Sequence, residues 1–126
     1  MTNDTAYILL AHGSSDANWQ RTFEMMCAGA LLAGDNVYLS YMELGSPLLG
    51  EQIASLSKTG TKNFHVIPLF LAAGKHLRQD IPEILGQLST KLNISVTQHP
   101  PIGENPKLAQ AITSIVDTLI NAPDSL

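Results

Sequence analysis

Short, uninterrupted apolar runs alternate with amphipathic stretches along the chain. Residues 7–11 are wholly apolar and predict a strand covered on both faces. His12-Gly13-Ser14-Ser15 breaks that run. Residues 16–32 then place Trp19, Phe23, Met26, Cys27, Ala30 and Leu31 at helical spacing. Ser15 or Asp16 can cap this helix, and Gly34 can end it. Residues 36–43, rich in Val, Tyr and Leu, predict a second strand. Ser46-Pro47 reads as a helix start, with Leu49, Ile53 and Leu56 turned inward and a stop near Gly60. A third strand is expected over 63–71, although Pro68 cannot donate to a ladder. Residues 72–79 read as a loop. Asp80 and Glu83 flank Pro82 as a capping-box-like pair, which predicts a helix over 80–88. Residues 93–97 predict a fourth strand. Pro100-Pro101-Ile102-Gly103 predicts a rigid turn. Asn105-Pro106 opens a last helix with Leu108, Ile112, Ile115, Val116 and Leu119 on one face, ended by Asn121 and Pro123.

Four β–α units in a row imply a parallel sheet with helices on both faces. The expected architecture is α/β, a flavodoxin-like doubly wound four-stranded sheet in the order 2-1-3-4, with residues 1–126 forming one domain. Ligands of such sheets bind beyond the carboxyl ends of the strands, where the strand order reverses.

Composition narrows the function classes. Hydrophobic residues make up 44% of the 126 and charged residues 14%, which excludes a disordered chain. No apolar run is long enough to span a bilayer. The first residues lack a basic stretch, and Cys27 is the single cysteine, so a reducing cytoplasm is the expected location. Seven Lys and Arg stand against eleven Asp and Glu, a net charge of −4, which argues against nucleic acid as a partner. An anion site must therefore be built locally.

Three chemistry-bearing side chains fall at the carboxyl ends of neighbouring strands. His12 follows the first strand, Glu43 ends the second, and His76 lies in the loop after the third. Adjacent strands are about 4.8 Å apart, so the three can converge. Two imidazoles and a carboxylate suit Fe²⁺, Co²⁺, Ni²⁺ or Zn²⁺, and three protein groups leave positions open for substrate. Each also has a plainer reading. His12 can hydrogen-bond its own loop, Glu43 can be a solvated strand end, and His76 can be one polar residue of an exposed loop. His65 and His99 read as structural or surface histidines, and Cys27 as core. Ser14 and Ser15 precede a helix and could meet an anion through backbone N–H groups. Lys75 and Arg78 could pair with carboxylates near His76. No phosphate loop or nucleophile elbow is present, which disfavours a phosphoryl- or acyl-transfer enzyme.

Three stretches, Leu9-Leu10-Ala11-His12-Gly13-Ser14, Tyr41-Met42-Glu43 ahead of Pro47, and the run from Pro68 to Pro82 with Gly74-Lys75-His76-Leu77-Arg78 at its centre, resemble the small-form sirohydrochlorin chelatases. These are the short cobaltochelatases of the anaerobic cobalamin route, related to siroheme ferrochelatases. Pro100-Pro101-Ile102-Gly103 is also similar to the family's turn before the last helix. The resemblance implies a lyase that inserts a divalent metal into a tetrapyrrole without ATP. It implies His12 and His76 as the paired metal-site histidines, with Glu43 as the acid beside them. It also implies a homodimer, with no permanently bound cofactor and the metal (Co²⁺, Fe²⁺ or Ni²⁺) arriving as substrate. The macrocycle's carboxylates would meet Ser14, Ser15, Ser46, Lys75 and Arg78. Gln79 stands where an acid is commoner, and the histidine-rich tract of some short members is absent. The alternative from another class is a non-catalytic tetrapyrrole or metal carrier on the same fold.

Overall fold

In a computed structural model, residues 4–72 and 74–122 are described. The elements follow the order β1 (Thr5–Ala11), α1 (Ala17–Leu31), β2 (Val37–Tyr41), α2 (Leu49–Lys58), β3 (Asn63–Pro68), α3 (Lys75–Leu92), β4 (Ser95–Gln98), a 3₁₀ turn (Ile102–Glu104) and α4 (Pro106–Asn121). The sheet is parallel throughout, in the order β2-β1-β3-β4. Tyr7 lies beside both Val37 and His65, and His65 lies beside Thr97, which fixes the register across all four strands.

Strand alternation sorts the side chains into two faces. Ala6, Ile8, Leu10, Phe64 and Val66 point to one face and are buried under Leu49 and Ile53 of α2 and Ile81 and Leu85 of α3. The other face is covered over β2, where Trp19 of α1 packs near Tyr41 and Cys27 is buried. Met26 and Ala30, expected on the buried stripe of α1, are exposed instead. The stripe is narrower than its spacing suggested because α1 rests mainly on a five-residue strand.

Several boundaries differ from the sequence expectation. Glu43 lies two residues beyond β2, and β3 stops at Pro68, although Leu69 N–H still donates to the Leu10 carbonyl at 2.8 Å. The chain near Ser46-Pro47 stays extended. Tyr41 N–H donates to the Pro47 carbonyl at 3.0 Å and Tyr41 bridges to Leu48, so α2 starts only at Leu49. Leu48 N–H is satisfied by the Glu51 carboxylate at 2.9 Å, and no Ser46 hydroxyl cap forms.

The difference at α3 matters most for the site. Residues 75–79 are the first turns of α3, not a loop, and Arg78 N–H closes on the Gly74 carbonyl at 3.1 Å. Pro82 lies inside this helix rather than at its start. An interior proline costs about 3 kcal/mol. Burying Ile81 and Leu85 contributes about 1.5–3 kcal/mol each, with Leu77 and Leu88 packed on the same face. The apolar stripe therefore carries the helix through the proline. Asn93 ends it in the left-handed conformation, at φ 54°.

Candidate metal and macrocycle site

The β1–β2 pairing continues past the strand ends. Met42 N–H donates to the Ala11 carbonyl at 2.9 Å, and Glu43 N–H to the His12 carbonyl at 3.1 Å. This holds residues 12 and 43 side by side. Gly13 makes the approach possible. Its φ is +105°, and a Cβ there would sit 1.6 Å from the Glu43 carbonyl oxygen. His12 Nε2 and Glu43 Oε1 end 3.4 Å apart, both more than half exposed. The ring of Phe70 meets the imidazole edge-on, with centroids 6.4 Å apart.

This pair forms one wall of an opening. The other wall is the start of α3, through Gly74, Lys75, Leu77 and Asp80, with Met42 in between. The opening thus spans the carboxyl ends of β1 and β2 and the element that follows β3, where a doubly wound sheet binds ligands. His76 lies in the first turn of α3, next to two residues that line it; its side chain lies outside the described residues. Among the described residues, no three His, Cys, Asp or Glu side chains gather around one point.

The remaining sequence candidates separate. Lys75 lines the His12–Glu43 opening, whereas Arg78 lines a neighbouring hollow with Phe70, Leu71, Gln98 and Glu104; Leu77 is shared by both. Ser14 Oγ accepts from Asp16 N–H at 3.0 Å, and Ser15 is exposed. The N-terminus of α1 is occupied by the Asp16 carboxylate, which accepts from Asn18 N–H at 2.9 Å. Glu51 fills the same role at α2. The helix start at α3 differs. It has no side-chain cap and no acid in its first turn, and its positive dipole end borders the opening. The expected anion sites at Ser14, Ser15 and Ser46 therefore stand at helix starts already supplied with carboxylates, and α3 is the better placed one.

Asp80 was expected as a helix cap and instead borders the opening. The signal that could have found it is its spacing from His76: four residues apart, the two share a face once the helix is known to start at Lys75. Cys27 is buried and burial pushes its thiol pKa up, in keeping with a core residue. His65 and His99 pair with each other, Nδ1 to Nε2 at 2.9 Å, beside Tyr7 and away from this opening.

Comparisons with known proteins agree with this fold. A crystal structure of a cobalamin (vitamin B12) biosynthesis CbiX protein from Marinobacter aquaeolei superposes with a TM-score of 0.88 at 39% identity, covering 93% of this chain and 98% of that one. A sirohydrochlorin cobaltochelatase from Sulfurisphaera tokodaii is 25% identical over 91% of this chain and 93% of its own. The sirohydrochlorin chelatase SirB from Bacillus subtilis, solved with cobalt, shares the fold at TM-score 0.75 and 22% identity; this chain spans 51% of it. The CbiX family model matches residues 6–119, and the chain belongs to the CbiX family.

Proposed function

We propose that this protein is a sirohydrochlorin chelatase, a lyase that inserts a divalent metal into the macrocycle without nucleotide hydrolysis. The observation that carries the reading is the His12–Glu43 pair, 3.4 Å apart and open to solvent on the sheet's ligand-binding rim. Membership of the CbiX family supports it, as does the cobaltochelatase name of its relatives. His76, in the first turn of α3, is assigned as the third metal-handling group; its place in the chain puts it beside the residues that line the opening.

The chemistry asks for two events. The ion must shed water, and the ring must release two pyrrole protons as two N–metal bonds form. Imidazoles and a carboxylate hold Co²⁺, Fe²⁺ or Ni²⁺ through part of its shell and leave the other positions to ring nitrogens. Glu43 is suited to accept a ring proton, because the approaching cation lowers the pKa of the N–H it binds. The uncapped start of α3, with Lys75, supplies local positive potential to the ring's carboxylates, and Arg78 extends it into the next hollow. A flat polycarboxylate of this size exceeds what one lobe encloses, so the reading extends to a homodimer. A fold relative about twice as long is consistent with two lobes being needed. The single buried cysteine favours a reducing location such as the cytoplasm.

The test is an anaerobic spectrophotometric assay of sirohydrochlorin with Co²⁺, Fe²⁺ and Ni²⁺ in turn. Many turnovers with at least one ion are expected. A single equivalent bound without turnover would make the protein a carrier and overturn the enzyme reading. His12→Ala and His76→Ala should each lower kcat/KM at least tenfold with the fold retained by circular dichroism.

A further inference from the structure

We infer that Asp80 is a second proton acceptor of the insertion reaction, working from the wall of the opening that faces Glu43. This role rests on the chelatase reading above and deepens it.

The stoichiometry of insertion asks for a second base. Each divalent ion that enters the ring breaks two N–H bonds and forms two N–metal bonds. The electron pair of each broken N–H bond stays on its nitrogen and becomes the pair donated to the ion, so nothing is oxidised or reduced. Two protons must be taken up in each cycle, and a carboxylate takes one. Most of the described side chains lining the opening cannot take the other. Lys75 is a donor only, Met42 offers a weakly accepting thioether, and Gly74 and Leu77 bring no acceptor. His12 is assigned to the ion, and a neutral imidazole that holds a metal on one nitrogen carries its proton on the other. The carboxylate of Asp80 remains.

Local structure gives this aspartate no other duty. It is the sixth residue of α3, beyond the first turn in which an acid gains from the helix dipole. Aspartate is among the poorer helix formers, and Glu83, three residues on, sets a like charge beside it. Asp80 is exposed, and among the described residues nothing hydrogen-bonds or ion-pairs with its side chain. Leu77 and Ile81 fix the rotation of the helix by packing on the core, which leaves Asp80 at the edge of their stripe, on the opening.

The two carboxylates stand on different walls, Glu43 on the β1–β2 rim and Asp80 on α3, with Met42 between. One ring proton goes to Glu43 and the other to Asp80. Glu43 then need not discharge to solvent before the second N–H bond breaks. Both protons leave to water through the opening, since both side chains are exposed.

Anaerobic insertion of Co²⁺ into sirohydrochlorin tests this role. Asp80→Asn should lower kcat at least tenfold, while KM for the macrocycle and Kd for Co²⁺ change less than threefold and Tm is unchanged or raised. Asp80→Glu, which keeps the carboxylate, should recover most of the lost rate. Added formate should raise the rate of Asp80→Ala severalfold, and chloride at the same ionic strength should not. An unchanged kcat in Asp80→Asn would overturn the proposal. So would a Kd or KM that rises as far as kcat falls, because Asp80 would then serve binding alone. A folded Asp80→Ala that formate leaves unimproved would also overturn it. Wild-type protein that turns over no ion would sink the chelatase reading itself, whereas wild-type turnover matched by Asp80→Asn would remove only the second acceptor.

Discussion

The pairing of His12 with Glu43 depends on a residue that does no chemistry. Gly13 takes a positive φ and admits the Glu43 carbonyl into the space a Cβ would fill. Gly13→Ala should therefore destabilise the protein by about 1–3 kcal/mol, read as a fall of several degrees in Tm. An unchanged Tm would mean that the β1–β2 rim adjusts freely. Glu43→Gln separates two roles of the acid. The amide keeps the size of the group and loses its charge and basicity. If Glu43 accepts a ring proton, Co²⁺ affinity should fall less than threefold while kcat falls at least tenfold. An equal loss in both would make it chiefly a ligand. At this scale His12 and Glu43 were legible in the sequence, because each sits at or just past the carboxyl end of a strand. Asp80 was not, because its direction depends on where α3 begins.

That beginning belongs to the element scale, where local punctuation and long-range packing disagree. Pro82 with Asp80 and Glu83 has the signature of a helix start, yet the helix begins at Lys75, with Leu77 packed on the core along the same stripe as Ile81 and Leu85. Pro82→Ala restores a donor and removes a steric conflict, so it should raise stability by about 1–3 kcal/mol. Urea denaturation measures it; a lower midpoint would show that the proline shapes the packing of α3. Ser46-Pro47 misleads in the same way, since a carbonyl already engaged by Tyr41 keeps the chain extended. The strands, by contrast, were readable to within a few residues, because continuous apolar runs between breakers have few other uses in a chain of this length.

For the whole molecule, the alternation of elements was enough to give the order β2-β1-β3-β4. It could not show that the apolar face of α4 is left open, since the same spacing describes a helix docked on its own sheet. Charge also acts at this scale. A net charge of −4 offers a polycarboxylate no general attraction, so the proposed binding would lean on the start of α3 with Lys75 and Arg78. Raising the ionic strength from about 0.01 M to 0.15 M shortens the screening length from about 30 Å to 8 Å. KM for the macrocycle should then rise severalfold with little change in kcat. A flat KM would remove these exposed contacts from recognition.

The bond from Gly103 to Phe70 joins two ends of the molecule that otherwise have little in common. Phe70 supports the imidazole of His12 on one side and anchors the root of the last helix on the other. Gly103 thus ties the root of α4 to the residue that backs the His12 imidazole. A substitution at Gly103 should therefore lower kcat/KM for metal insertion as well as Tm, and a normal rate with a lowered Tm would uncouple the two ends.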